Sequence, residues 1–465
     1  MSTGLNITSS AEVDTTPEIV AVPTVDTKST ASAVPRPSWL RQALSSETAL
    51  HQGAFSLADQ AVASATNFLT GVIIARASSK EELGLYMLGF SLILLMNDLQ
   101  TSLITTPYMV YSPRLKGKAH ALYTGSTLIH QLTFCLITML GVACGAFAVS
   151  HGVGPRALAP VLWALVLAMS LIMLREHARR VSFARLKLKT AFLFDLFIAA
   201  GQIAGLCVLA HFHLLLASRA YWVIGAVCGV GVAGWLWFDR GFYDPRLGQS
   251  LADFKNNWNL GKWVFASGLV WAIGLNLCPW LLAAFRDVAS AGVWAACLGV
   301  VSVVNPVLLG IQNLVGPKIS HEYAARGLTA LRRLVLKITA VVALPISLVC
   351  VVMFIWGGRL LTLLYGRQYA GNSLVVSLLA LNLLVGAVGF SFSRALFAIG
   401  RARADFMIAS TALFIMAAMG LWLIRAFGPL GAAFGMLAAN IVAAAARNIA
   451  FLTYPALIAE ARQAN

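Results

Sequence analysis

Asp59 and Asp195 each sit within a run of apolar residues in this 465-residue chain, and Arg447 does the same near its end. An ionisable side chain at the centre of a bilayer costs about 2.5 to 3.5 kcal/mol on insertion scales, so one that is kept there faces protein, water or cargo. A carboxylate in such a place can bind a cation in one state and release it in another as its burial changes. Asp59 and Asp195 are therefore candidates for ion coupling or gating, with a solvated cap near the end of each run as the alternative.

Neutral polar residues form stripes beside them. Asn97, Thr101, Thr105 and Tyr108 recur at helical spacing, with Pro107 available to kink the helix near its end. Ser302, Asn305 and Gln312 align in the same way, Gln202 follows Asp195, and Asn440 precedes Arg447 on one face. Each set is a candidate cavity wall. Each can instead join helices through hydrogen bonds worth about 0.6 to 2 kcal/mol in membranes.

The elements that must carry these side chains are apolar helices. Hydrophobic residues make up 59% of the chain and charged residues 11%, with a mean hydropathy of +0.79. A helical span needs about 20 apolar residues. Twelve such spans are expected near residues 57–75, 83–106, 122–150, 157–174, 190–210, 218–238, 263–285, 291–316, 334–357, 371–393, 405–425 and 430–452. The fold class is thus an all-α polytopic membrane protein of about 12 transmembrane helices.

Most of the 34 Lys and Arg fall in alternate connections. They run over Arg114 to Lys118, Arg175 to Lys189 (with Arg179, Arg180 and Arg185), Arg240 to Lys262, Lys318 to Lys337 and Arg394 to Arg403. The positive-inside rule makes these loops, and both termini, cytoplasmic. The net charge of +16 then needs no nucleic acid to explain it, since loop cations hold topology and meet anionic membrane lipid. Residues 1–55, rich in Ser, Thr, Val, Ala and Pro and lacking an apolar signal core, read as a disordered cytoplasmic tail, and 455–465 as a second short tail.

Other chemistries find little support. All seven cysteines fall inside expected spans without a CxxC pair, so they read as packing residues, and His211 and His213 have no companions for a metal site. No HExxH, GxSxG or Walker A motif is present, which argues against an enzyme and against any cofactor. A membrane-embedded glycan polymerase or ligase stays open as a third reading, but the outer loops are short for it.

The longest polar connection, 240–261, divides the spans into two sets of six, an N-lobe over 56–239 and a C-lobe over 262–454. Six is even, so both sets insert with the same orientation and can be parallel repeats. A shift of 208 residues places Gly84 on Gly292, Tyr86 on Trp294, Asn97 on Asn305 and Ser112 on Ser320.

Short motifs add a family resemblance. They are Ala75-Arg76, then Glu81-Glu82-Leu83-Gly84-Leu85-Tyr86, Leu364-Tyr365-Gly366-Arg367-Gln368-Tyr369-Ala370, and Ala398-Ile399-Gly400-Arg401-Ala402-Arg403. With the twelve spans, they make the chain resemble the multidrug/oligosaccharidyl-lipid/polysaccharide exporter superfamily, nearest its polysaccharide and O-antigen flippases.

The resemblance implies two six-helix lobes that alternate in access around a central cavity. The implied cargo is a lipid-linked oligosaccharide carried from the cytoplasmic to the outer leaflet of a bacterial inner membrane. H+ or Na+ would be the coupling ion, and polysaccharide polymerase or export proteins the partners; a cation-coupled multidrug antiporter is the alternative. The cargo's diphosphate calls for arginine, whose planar fork of donors fits it. Arg76 and Arg286 at the outer ends of spans 1 and 7, Arg175 and Arg394 at cytoplasmic ends, and Arg447 inside span 12 are the candidates, with interfacial snorkelling as the plainer role.

Overall fold

Long apolar runs in a low-dielectric solvent must satisfy their own backbone groups, and a helix does so within one segment. The protein, seen in a computed structural model that describes residues 47–454 without the side chains of residues 47–53 and some of those between residues 259 and 317, is helical almost throughout. The chain divides into two units, Met1–Leu50 and His51–Asn465, and the contacts below all lie in the second. Helix already begins at Glu47, inside the expected tail 1–55; residues 1–46 and the tail 455–465 lie outside the described residues.

Thirteen α-helices follow one another: α1 (Glu47–Ala77), α2 (Lys80–Gln100), α3 (Thr106–Tyr111), α4 (Gly117–Ser150), α5 (Ala159–Ala184), α6 (Leu188–His211), α7 (Ala217–Asp239), α8 (Leu247–Phe285), α9 (Val288–Ser302), α10 (Asn305–Tyr365), α11 (Ser373–Ala398), α12 (Ala402–Phe427) and α13 (Pro429–Leu452). Among the described residues, ten runs are long and apolar enough to cross a membrane. The expected spans 7 and 8 are represented by the shorter apolar stretches Asn276–Phe285 and Val288–Ser302. This is a multi-pass membrane protein.

Three expectations change. The connection over 240–261 is helical from Leu247 and runs without a break into span 7 as α8. The basic loop after span 8 is helical too, inside α10, where only Gly327, at φ 75° and ψ −168°, separates two helices. A side chain rarely adopts that conformation, and glycine does so freely. Third, span 2 is not one α-helix: Thr101–Thr105 form a π-helical turn between α2 and α3. The wider turn breaks the common face expected for Asn97, Thr101, Thr105 and Tyr108. Tyr108 is buried against α4, its hydroxyl 3.2 Å from Thr124 Oγ1.

Span 8 is interrupted as well, by the turn at Val303–Val304 between α9 and α10. The two interrupted spans meet each other where they begin. Ser79 caps α2, accepting the Glu82 N–H, and Asp287 caps α9, accepting the Ser290 N–H at 2.6 Å. These caps are themselves 208 residues apart. One turn inside each helix, a Cβ at Gly84 would collide with the Val288 carbonyl oxygen and one at Gly292 with that of Lys80. The contact is reciprocal, as a two-fold relation between the repeats requires.

Around this crossing the halves are clasped. Arg76 at the end of α1 donates from Nε to the Leu364 carbonyl at 2.8 Å and from Nη2 to that of Leu363. Gln368 donates back to the carbonyls of Ala75 at 2.7 Å and Ser78 at 3.2 Å. Trp280 on α8 reaches Ser91 on α2 at 2.7 Å. Away from the connecting stretch of α8, the hydrogen bonds that join the halves among the described residues all lie toward this end. Buried Tyr369 and, at the far end, Tyr243 are both held well above the ordinary phenol range by burial, so each stays a neutral hydroxyl.

Candidate functional site

At the basic end of the first half, α5 continues past the expected end of span 4 and carries Arg175, Glu176, Arg179 and Arg180 on successive helical positions. The four-residue step from Arg175 to Arg179 puts both guanidiniums on one face. That face meets Asp195 of α6 and Asp59 of α1. Arg175 Nη2 lies 2.6 Å from Asp195 Oδ1. Arg179 Nη2 bonds Asp59 Oδ2. Its Nε donates to the same oxygen at 3.1 Å while lying 2.7 Å from Asp195 Oδ2.

Glu176 completes the group by accepting from Arg180 Nε at 2.7 Å and Arg179 Nη1 at 3.2 Å. Three cations therefore face three carboxylates. Asp59 and Asp195 are each 1% exposed, so the solvated-cap alternative does not describe them. Arg179, counted as a loop cation from sequence, is the hub that holds both aspartates.

The network is not saturated. Arg175 Nε and Asp59 Oδ1 are buried without a hydrogen-bond partner. Arg175 and Asp195 also line a pocket of about 130 Å³ between α1, α2, α5, α6 and α7, together with Thr66, Asn67, Asn97 and Gln202. Asn97 Oδ1 is likewise unpartnered. The space suits a few waters or an ion, and is smaller than the roughly 300 Å³ at which ligand pockets begin. Gln202 is tied to Thr70 at 2.8 Å, which fixes α6 to α1 beside the pocket.

The other expected residues are dispersed. Arg76 and Arg286, both exposed, cap helix C-termini: Arg76 as above, Arg286 through the Arg425 carbonyl at 3.1 Å. Favourable dipoles and orphan carbonyls draw cations to those positions. Arg394 is exposed and lies over Phe390, 4.7 Å from the ring centroid. Thr105 turns its hydroxyl to the Thr101 carbonyl at 3.3 Å. Asn305 is exposed at the start of α10, and the Gln312 side chain lies outside the described residues. Of the arginines named as phosphate candidates, Arg175 lies in the buried network and Arg447 in an ion pair of the second half, while Arg76, Arg286 and Arg394 are exposed.

Among the described residues, the second half has a smaller polar interior. Arg447 Nε pairs with Asp405 Oδ1 at 2.7 Å, and Asn440 donates to Asn382 at 2.7 Å. Asp405 was not singled out from sequence, since it opens α12 where an acidic residue suits any helix N-terminus. Its partner lies 42 residues away. The signal for Arg179 and Glu176 was available: an Arg-Glu-x-x-Arg-Arg pattern that extends a helix beyond its apolar run.

No protein-family model and no curated protein matches the chain. Solved structures do resemble it in fold. An inward-facing multidrug resistance MATE family transporter of the MOP superfamily superposes with a TM-score of 0.70 at 15% identity, over 86% of this chain and 96% of that one. The lipid II flippase MurJ in an inward closed conformation gives 0.65 at 15% identity, over 85% and 87%. An outward-facing MATE transporter of the same superfamily gives 0.56 at 13% identity, over 89% and 96%. Neighbours of this fold are transporters and flippases.

Proposed function

We propose that the protein is an alternating-access flippase that carries a polyprenyl-diphosphate oligosaccharide from the cytoplasmic to the outer leaflet of a bacterial inner membrane, serving cell-surface polysaccharide assembly. The N-lobe over 56–239 and the C-lobe over 262–454 move against each other, with the basic end and both termini cytoplasmic. The clasp at the Gly84–Gly292 end then belongs to a state closed toward the outside.

One observation carries the reading: two largely enclosed arginines, Arg175 at a polar pocket and Arg179 beside it, are balanced by aspartates rather than by backbone. A diphosphate competes directly for those guanidiniums. As it takes them, Asp59 and Asp195 lose their counter-charges, and a buried carboxylate without one must bind H+ or Na+. Cargo and cation then bind together, and each raises the affinity of the other. The small pocket is the phosphate end of a larger path, with the glycan toward the lobe interface and polymerase or export proteins receiving it outside.

The test is flipping of a fluorescent lipid-linked oligosaccharide in proteoliposomes. Wild type should flip, and Arg175→Gln and Arg179→Gln should lose about tenfold or more, as expected for a lost charge-assisted contact. Arg447→Gln, on the Asp405 pair, should lose far less. A second reading, cation-coupled drug antiport, draws on the MATE transporters among the similar structures. It predicts pH- or Na+-driven efflux of a lipophilic cation and no flipping, a result that would replace the first reading.

A further inference from the structure

A second site lies away from the charge network, on the outer face of the second half. Where the later part of α10 runs beside α11, Val351, Phe354 and Ile355 on one helix and Leu374, Ser377 and Leu381 on the other line an apolar groove of about 400 Å³. Five of the six are large apolar residues left exposed, and both helices belong to runs of membrane-crossing length and hydropathy. Hydrocarbon must fill the groove. The helices cannot close on it, because they are already pinned beside it: a Cβ at Gly357 would touch Val376, and one at Gly358 would press on Ser373.

The groove carries a charge at one end. Val351, Ile355 and Arg359 follow at four-residue steps along one face of α10, so the Arg359 Cα stands about 6 Å along the axis beyond that of Ile355, the last apolar rung, within two turns of the helix end at Tyr365. Arg359 is exposed and, among the described residues, its side chain has no ion pair and no hydrogen bond. Arg76 and Arg286 at the same end are both spent on carbonyls. An apolar channel ending at an unspent cation matches a lipid with an acyl chain below and a phosphate above.

We propose that the α10–α11 groove is a binding site for one anionic phospholipid of the surrounding bilayer, with an acyl chain along Val351, Ile355 and Leu381 and its phosphate on Arg359. The site opens on the lipid-facing surface and shares no residue with the polar pocket of the first half, so its occupant is resident lipid and not cargo. This reading stands whatever the transported molecule is.

Native mass spectrometry of the full-length protein, with phosphatidylglycerol or phosphatidylcholine added back after delipidation, tests it. One phosphatidylglycerol should stay bound at activation energies that strip phosphatidylcholine. Ser377→Phe should abolish that retention by filling the groove, and Arg359→Gln should weaken it about tenfold, with Arg359→Lys recovering part. Arg156→Gln, a cation elsewhere, should leave it unchanged. If Ser377→Phe does not fold, Val351→Trp blocks the opposite wall and must give the same loss. Equal retention of phosphatidylcholine, or retention indifferent to both the filling and the charge variants, overturns the site. Displacement of phosphatidylglycerol by equimolar polyprenyl diphosphate overturns the assignment to resident lipid.

Discussion

The two halves share a frame and differ in what they bury. Both begin their second span with a capped helix, Ser79 in one and Asp287 in the other, and both place a glycine one turn in so that the helices can cross. Behind that frame the first half encloses five interlocked charges and a polar pocket, with Arg180 half-exposed at the edge of the group, while among the described residues the second buries one Arg447–Asp405 pair and an amide pair. A buried ion pair is a weak source of stability, because desolvation offsets most of the attraction. A network of that size at one site, with no counterpart among the described residues of the other half, therefore points to use. The symmetric parts hold the molecule together, and the asymmetric part is where chemistry is expected.

The largest test of that contrast is Arg179→Met against Arg447→Met. Removing Arg179 strands Asp59 and takes one of two cations from each of Asp195 and Glu176, which keep Arg175 and Arg180, whereas removing Arg447 strands Asp405 alone. Breaking a buried pair from one side costs about 3 to 5 kcal/mol; Arg179→Met should lie at or above the top of that range and Arg447→Met near its bottom. Thermal unfolding in detergent reads the difference. The double change Arg179→Met and Asp59→Asn, which leaves Asp195 on Arg175 and Glu176 on Arg180, should recover most of the lost stability without recovering transport. Equal destabilisation by the two single variants would erase the distinction between the halves.

Next in size is the shared frame. Because the clash is reciprocal, Gly84→Ala and Gly292→Ala should cost the same, about 1 to 3 kcal/mol for an overpacked contact. A fluorescence-detected thermal shift for each variant gives the comparison. A cost confined to one glycine would mean that the repeats do not meet on a two-fold relation.

These cases also show what the sequence could and could not convey. Hydropathy is summed over some 20 residues, so the spans were legible, as was the 208-residue offset, which needs only like residues at like spacing. The crossing itself was not, since nothing in a glycine names its partner. The charge network was half legible: Asp59, Asp195 and Arg175 stood out, but Arg179 looked like a loop cation because helix α5 outlasts its apolar run. Its contact with Asp59 spans 120 residues. The π turn at Thr101–Thr105 had no local signal beyond Pro107, and it changes which side chains share a face.

A smaller effect is expected at the clasp, which both halves supply. Gln368→Ala removes two hydrogen bonds to the end of α1. At the lower net value of about 0.5 kcal/mol for each, about 1 kcal/mol together because one Nε2 serves both carbonyls, the state open at this end should gain about fivefold in population. Spin labels placed on the loops around Ser79 and Gln368 should show a longer-distance population that grows by that factor. An unchanged distribution would place the barrier to opening in the glycine crossing alone.

The smallest expected effect separates glue from function. Asn382–Asn440 in the second half and Thr70–Gln202 in the first are both single side-chain hydrogen bonds between helices, at 2.7 and 2.8 Å. Such bonds couple by about 0.6 kcal/mol on average in membrane proteins, and at most about 1.7. Double-mutant cycles on unfolding, with each partner changed to Ala or Val, should return couplings of that size for both pairs. Transport should divide them: Gln202 lines the pocket beside Arg175 and Asp195, so Gln202→Ala should slow flipping more than its stability loss explains, while Asn382→Ala should not. If activity follows stability alone at both pairs, the pocket of the first half is no more than a packing defect between well-joined helices, and the functional weight falls back on the arginines.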